Sequence, residues 1–254
     1  MNQIGRMSPT LEQRLALRER PNGSPVMRQT WAGLLFAHWP VDPALIAARL
    51  PPGLHVDTYD GQAWLGVVPF IMERVRPVGL PPLPWLSWFM ELNLRTYVHD
   101  DSGNAGVWFF SLDCDQPLAV EIARRAFHLP YEHAVMRQVR TGNRIEYHSR
   151  RKAIGALDAE YGYTVPTATR AAAAGSLEWF LVERYLLFSA TPAGKIFKGR
   201  VHHAPYQIAT ASCEPLSTEP LRLNGFPVPP EPPASILTAA PVEVTIYPLR
   251  RHTP

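Results

Sequence analysis

The chain has 254 residues, a formal charge of +3 and two cysteines. A chain of this length can bury a sizeable core without a metal or a disulfide framework, and its near-balanced charge argues against nucleic acid as a partner. No segment approaches the roughly 18 apolar residues of a membrane span, and the N-terminus lacks the apolar core of a signal peptide. We therefore expect a cytoplasmic protein with neither membrane nor nucleic acid as a partner.

The N-terminal segment predicts one short helix ahead of the main domain. Thr10 and Gln13 form a capping-box pattern, and Pro21-Asn22-Gly23 ends the helical run. We expect a mobile arm over residues 1–27. Residues 28–254 are assigned to a single domain.

Short runs rich in β-branched and aromatic residues predict a mainly β domain. The first seven strands are expected near 31–38, 54–58, 64–72, 91–98, 106–113, 134–140 and 144–150. Later strands are expected at the end of 175–189, which begins with a capped helical turn, within 195–208 and at 242–247. Further helices are expected at 42–50, with Asp42 as N-cap, and at 117–127, and Asp100–Gly103 supplies a hairpin turn. About nine or ten strands with three short helices predict an α+β fold built on an antiparallel β-barrel or strongly curved sheet.

Two proline-rich segments interrupt this pattern, and the first of them cannot be a central strand or a regular helix. Residues 76–88 carry four prolines, and Trp85, Trp88 and Phe89 look exposed there. We interpret them as a lid or as a homo-oligomer contact; the alternative is that they cap the open end of the core. The second segment, 214–233, is expected to wrap over the surface.

The strand "ELNLRTYV" places four polar side chains on one face, because side chains alternate along a strand. These are Glu91, Asn93, Arg95 and Tyr97. The face either contacts water or lines a pocket inside the barrel. In the pocket, Arg95 would offer a bidentate fork to a carboxylate, and Glu91 or Tyr97 would orient it.

The histidines and cysteines do not indicate a metal site or a cysteine nucleophile. Pro130 separates His128 from His133, and His202 and His203 alternate across one strand, so neither pair can share a metal from one element. Cys114 lies between two aspartates, which raise a thiol pKa. We expect no metal and no other cofactor.

Five segments, taken in order, resemble the uncharacterised bacterial YqjF-like family, which is grouped with the acetoacetate decarboxylase-like superfamily. They are "PPGLHVDTYDGQAWLGVVPF", "ELNLRTYV", "GVWFFSLDCDQPLAVEIARRAFHLPY", "FLVERYLLFS" and "GRVHHAPY". The resemblance runs from about Trp31 to Pro205 and lies in the ordered set of segments. It implies a closed or cone-like antiparallel barrel with an interior pocket.

The resemblance also implies that this chain lacks the catalytic lysine of the decarboxylases. The decarboxylases form a Schiff base through a lysine whose pKa is lowered by a second lysine in a Pro-Lys-Lys motif. In "ARRAFHLPYE", Pro130 matches that proline, and Tyr131 and Glu132 replace both lysines. Lys195 and Lys198 are the two lysines that could in principle reach inward to form a Schiff base. Glu91 falls near the position of a pocket glutamate of the decarboxylases.

These observations lead to three hypotheses of different kinds. The first is a small-molecule enzyme, a lyase, hydratase or isomerase acting on an oxo- or hydroxy-carboxylate without a Schiff base. In it Glu132 is the general base, Tyr131 the hydrogen-bond donor and Arg95 the carboxylate anchor, all converging with Tyr97 in one cavity. The second is a binding module that kept the pocket and lost the chemistry, and the third is assembly through the aromatic loop. Tyr131 and Glu132 could also merely close a helix, with Glu132 paired to Arg125 or Arg137.

Overall fold

A computed structural model describes residues 8–252 of the chain. Its helices are α1 (Leu11–Ala16), α2 (Pro43–Ala47), α3 (Pro117–Phe127), α4 (Leu177–Val182) and α5 (Glu219–Leu223). Its strands are β1 (Met27–Ala32), β2 (Leu34–Val41), β3 (Leu54–Val56), β4 (Ala63–Pro77), β5 (Phe89–Asp100), β6 (Ala105–Cys114), β7 (Tyr131–Thr141), β8 (Arg144–Arg151), β9 (Ala159–Thr164), β10 (Arg170–Ala171), β11 (Leu186–Ala190), β12 (Ile196–His203), β13 (Gln207–Thr210), β14 (Cys213–Leu216), β15 (Ser235–Ala239), β16 (Val242–Ile246) and β17 (Arg250–Arg251). Between residues 8 and 252, no helix has the length and apolar character needed to cross a membrane.

Three of the helices begin at residues whose side chains cap them. Thr10 accepts a hydrogen bond from the Gln13 backbone while the Gln13 side chain accepts one from the Thr10 backbone, which completes the capping box of α1. Asp42 caps α2 through the Ala44 backbone, and Ser176 caps α4. Local side-chain chemistry therefore determines these three starts.

Seven strands close into a ring of hydrogen-bonded neighbours. The pairs β4–β5, β5–β6 and β11–β12 are joined by β6–β11, and the circle is completed by β12–β16, β16–β1 and β1–β4. We call this the seven-stranded ring. It gives the strongly curved sheet of the predicted fold, and side chains that alternate along its strands point either into the ring or away from it.

The sheet is mixed, whereas the sequence pattern predicts antiparallel pairing throughout. Along the edge that does not face β5, β6 pairs in parallel with β11 at Val107 and Trp108 and with β7 at Leu112–Cys114. The pairing with β7 follows from α3, which carries the chain back across the sheet as parallel neighbours require. The structure also divides the predicted strand at 31–38 into β1 and β2, because Gly33 adopts a positive φ of 58° between them.

Apolar cores lie on both faces of β5. Phe89 and Tyr97 belong to the core inside the ring, and Leu92 and Leu94 belong to a second core outside it. The second core is covered by strands that include β8 and β9, through residues such as Tyr147. Because both faces are covered, the polar face of β5 is not exposed to water.

Candidate functional site

A cavity of about 320 Å³ occupies the interior of the seven-stranded ring. Every strand of the ring contributes lining side chains, and α3 closes one side with Ile122, Ala123 and Phe127. The lining is mainly apolar, with a small set of polar groups that includes Glu91, Arg95, Tyr131 and Arg184. An apolar cavity of this size with a few convergent polar groups is typical of a small-molecule site.

Glu91 and Tyr131 form a buried hydrogen-bonded pair in the cavity wall. Tyr131 Oη donates to Glu91 Oε2 at 2.6 Å, and Glu91 is only 3% exposed. Burial raises the pKa of Glu91 to about 7, even though the hydrogen bond from Tyr131 opposes this shift. Burial, with Glu91 as the nearest negative group, raises the pKa of Tyr131 well above its ordinary value, so the phenol remains a donor.

Arg95 is a buried cation without a carboxylate partner among residues 8–252. Its side chain is 9% exposed, and Nη2 donates to the Leu181 carbonyl at 2.9 Å and to Tyr97 Oη at 3.4 Å. Its Nε is buried and makes no hydrogen bond to any described residue. A guanidinium held in this way offers unused donors and an uncompensated charge to an anion in the cavity.

The packing of His38 beside Arg95 requires a glycine at position 66, because any larger residue would collide with the His38 ring. Gly66 lies between His38 and Arg95 in the strand register, and a Cβ there would approach the His38 ring to 2.9 Å.

Tyr97 Oη donates to the Leu181 carbonyl at 2.7 Å and lies 2.7 Å from His38 Nε2. Because the phenol has one proton, His38 donates that second bond. Burial and the nearby Arg95 lower the pKa of His38 well below its ordinary value, so the imidazole stays neutral.

A second arginine, Arg184, reaches the cavity from the segment after α4. Its Nη1 binds Asp57 Oδ2 at 2.7 Å and its Nε binds the Phe180 carbonyl, while its buried Nη2 has no described partner. Asp57 also accepts two hydrogen bonds from Arg14 of α1, at 2.6 and 2.5 Å. Burial opposes ionisation of Asp57, but Arg184 and Arg14 together lower its pKa. The helix predicted on a mobile arm is thus tied to the ring by a buried ion pair.

Glu132 does not converge on the cavity, and the expectation that it does is wrong. Tyr131 and Glu132 are the first two residues of β7, so they point to opposite sides. Glu132 is half-exposed and accepts a hydrogen bond from Arg124 Nη2 at 3.0 Å, a different arginine from the two expected. The prediction failed because α3 ends at Phe127 and the strand starts directly after Pro130, three residues earlier than the pattern indicates.

The other polar residues named from the sequence fall around the same wall. Asn93 is buried on the cavity side of β5, and its Oδ1 has no hydrogen-bond partner within residues 8–252. Tyr97 is fully buried next to Arg95. The chain's lysines lie elsewhere: Lys152 and Lys195 are exposed, and Lys198 lies 3.5 Å from Asp100.

The aromatic loop before β5 differs in part from expectation. Trp85 and Trp88 are exposed, at 67% and 41%, whereas Phe89 is buried in the ring and lines the cavity. Phe89 is wrongly predicted as exposed, because it is the first residue of β5 and points inward with Glu91. Of residues 78–88, which connect β4 to β5, Leu86 lines the cavity.

The side chains of His202 and His203 point in opposite directions, as their alternation along the strand predicts. His203 is buried and His202 is half-buried, on opposite faces of β12. Burial, more than the neighbouring carboxylates, raises the pKa of Cys114. No group of three or more metal-ligating side chains occurs among residues 8–252. The sequence pattern does not identify Arg184, Asp57 or Arg14 as residues of the site. For Arg184 a signal exists, because Glu183 and Arg184 form a charged pair inside the apolar run "WFLVERYLLF".

Comparisons with known proteins agree with this architecture. Acetoacetate decarboxylase from Legionella pneumophila superposes with a TM-score of 0.61 at 12% identity, over 100% of this chain and 98% of that one. The enduracididine biosynthesis enzyme MppR, in complex with pyruvate, superposes with a TM-score of 0.60 at 14% identity, over 91% of each chain. At these identities the likeness shows the fold alone.

The sequence comparisons are closer. The uncharacterized protein YqjF of Bacillus subtilis is 39% identical over 231 residues, which is 91% of this chain and 94% of that protein. Residues 28–243 match the family DUF2071, described as an uncharacterized conserved protein. The DUF2071 match covers most of the chain, and YqjF is 39% identical to it. The chain, which has an acetoacetate decarboxylase-like fold, therefore belongs to the DUF2071 family.

Proposed function

We propose that this protein is a small-molecule enzyme that holds a carboxylate at Arg95 and moves a proton through Glu91 and Tyr131. The observation that carries the proposal is the buried Glu91–Tyr131 pair, 2.6 Å apart in the wall of an apolar cavity. A general acid or base works best with a pKa near the operating pH, and Glu91 has a pKa of about 7. The reaction class is a lyase, hydratase or isomerase step on an oxo- or hydroxy-carboxylate.

Each side chain has a defined role in that reaction. Ionised Glu91 removes a proton from the carbon next to the substrate carbonyl and becomes neutral. The Tyr131 hydroxyl, which donates to Glu91 beforehand, can then donate to the oxygen on which negative charge develops. Arg95 neutralises the substrate's carboxylate with donors that no carboxylate among residues 8–252 uses.

A Schiff base is not part of the proposal. The lysines of the chain are exposed or lie beside Asp100, and no lysine among residues 8–252 lines the cavity. Proton transfer needs no such amine, because the buried carboxyl and phenol supply both a base and a donor. The proposal therefore keeps the fold of the decarboxylases and replaces their covalent step.

Exchange of a carbon-bound proton for deuterium tests this function directly. Wild-type protein is incubated in D₂O with pyruvate, 4-oxopentanoate and 6-oxoheptanoate, and loss of the signal next to the carbonyl is followed by NMR. We expect catalysed exchange with at least one acid and a loss of about 10²-fold or more in Glu91→Gln. Glu132→Gln is the matched control, because Glu132 lies one residue from Tyr131 outside the cavity. Equal rates in Glu91→Gln and wild type would refute the proposal.

A non-catalytic binding module is the second candidate, favoured by the mainly apolar lining of the cavity. It predicts that an acid stabilises the protein against heat but exchanges no proton. In both cases Arg95→Ala should abolish the stabilisation, whereas Arg125→Ala, on the exposed side of α3, should not. Binding without exchange would select the binding module.

A further inference from the structure

The residues that line the cavity extend along β5 from a buried end, here called the deep end, to an exposed end, here called the mouth. Lining residues on this strand run from Phe89 to Arg95. At the deep end, Arg95 contacts the Leu181 carbonyl and Tyr97, both fully buried. At the other end, exposed Pro77 and Ile122 border the opening. Glu91 lies between the two, nearer the mouth.

The distance between Glu91 and Arg95 sets a length for the ligand. The two residues are four positions apart on a continuous strand, which places their Cα atoms about 13 Å apart. The Arg95 guanidinium also leans away from Glu91, since it reaches Tyr97. Allowing about 2.9 Å for a hydrogen bond at each end leaves about 7 Å. An extended chain covers about 3.6 Å in three bonds, so roughly six bonds must separate the two groups.

The volume of the cavity gives a consistent size. A volume of about 320 Å³ equals that of about ten water molecules in the liquid, at roughly 30 Å³ each. The wall beside and between Glu91 and Arg95 is made of apolar side chains such as Phe70, Phe109, Leu112 and Val201. The other charged lining residues lie at the two ends, Arg184 over the Tyr97 ring at the deep end and Arg76 next to exposed Pro77, so the part of the ligand that passes between them is apolar.

We propose that the ligand is a medium-chain acid of about ten non-hydrogen atoms, whose oxo or hydroxy group is separated from its carboxylate by an apolar spacer of about six bonds. The carboxylate binds Arg95 at the deep end, the spacer fills the apolar waist, and the reacting group meets Glu91 and Tyr131 near the mouth. A short 2-oxo acid such as pyruvate is too small to contact both ends. This inference rests on the roles of Arg95 and Glu91 in the proposed function.

A homologous series of straight-chain carboxylates from acetate to dodecanoate, titrated calorimetrically into the full chain, tests the proposal. Each added methylene buried in the cavity should tighten binding about fourfold. We expect this gain to continue to about eight or nine carbons and then to stop, because further carbons leave through the mouth. Affinity that does not rise with chain length, or that rises without a break to dodecanoate, would overturn the proposed length.

A pair of exposed substitutions on α3 checks the position of the mouth. Ile122 borders the cavity, whereas Leu118, one turn earlier on the same helix, is similarly exposed and does not line it. Ile122→Trp should weaken decanoate at least tenfold and leave hexanoate unchanged, and Leu118→Trp should change neither. Equal loss for both acids in Ile122→Trp would refute the orientation of the chain.

The same titrations separate this inference from the proposed function. If Arg95→Ala abolishes binding but wild-type affinity is independent of chain length, the carboxylate site stands and the medium-chain ligand is wrong. If Arg95→Ala binds every acid as tightly as wild type, the carboxylate site itself is wrong, and the proposal made here falls with it.

Discussion

Replacing Glu91 with glutamine should make the protein's stability less dependent on pH. The pKa of this carboxyl rises from an ordinary 4.5 to about 7 on folding, because burial penalises its charged form. The folded state therefore holds the proton more tightly than the unfolded state. The stability that this proton contributes is fully present below pH 4.5 and is lost as the pH rises through about 7. Glutamine keeps the shape and the acceptor for Tyr131 but does not ionise.

The size of the effect follows from the two pKa values. Between pH 5 and pH 8, the wild-type free energy of unfolding should fall by about 2.5 kcal/mol relative to that of Glu91→Gln. Urea denaturation of both proteins at several pH values measures this difference. Glu132→Gln, which removes only an exposed ion pair, should follow wild type across the range. A difference between Glu91→Gln and wild type that stays constant from pH 5 to pH 8 would remove the basis for placing a proton-transfer group at Glu91.

Two further predictions concern the surroundings of the site. Asp57→Asn should lower the free energy of unfolding by about 3–5 kcal/mol, because it leaves Arg14 and Arg184 without their buried carboxylate; chemical denaturation at pH 7 measures this, and a loss under 1 kcal/mol would contradict it. If the aromatic loop serves assembly, replacing exposed Trp85 and Trp88 with serine should shift gel filtration to a smaller species, and an unchanged elution volume would count against that role.

Local sequence signals predicted much of the framework. The caps of α1, α2 and α4 and the Asp100–Gly103 hairpin turn depend on residues within a few positions of each other. The alternation in "ELNLRTYV" likewise identified four side chains on one face of β5, because a strand has a period of two whatever surrounds it. Its interior placement needed the tertiary structure, since alternation alone does not tell which face is covered.

The boundary at Pro130 depends on a contact that the local sequence does not specify. Pro130 marks a break between α3 and the next element, but not whether the following residues continue as a turn or begin a strand. The parallel pairing of Leu112 with Tyr131 makes these residues begin a strand, and this pairing joins two different segments of the chain. The Tyr131 side chain therefore points into the cavity and the Glu132 side chain points away from it. The carboxyl that binds Tyr131 comes from Glu91, 40 residues earlier.

The sequence by itself determined the α+β class, the curved sheet, the position of most strands and the polar face that carries Glu91 and Arg95. These depend on periodicity, caps and turn residues, which act over short distances along the chain. Only the tertiary structure decided that Glu91 meets Tyr131, and that Asp57 ties Arg14 to Arg184 beside the cavity. Closure of the ring brings these residues together and removes water from around them, and that burial gives the Glu91 carboxyl its raised pKa.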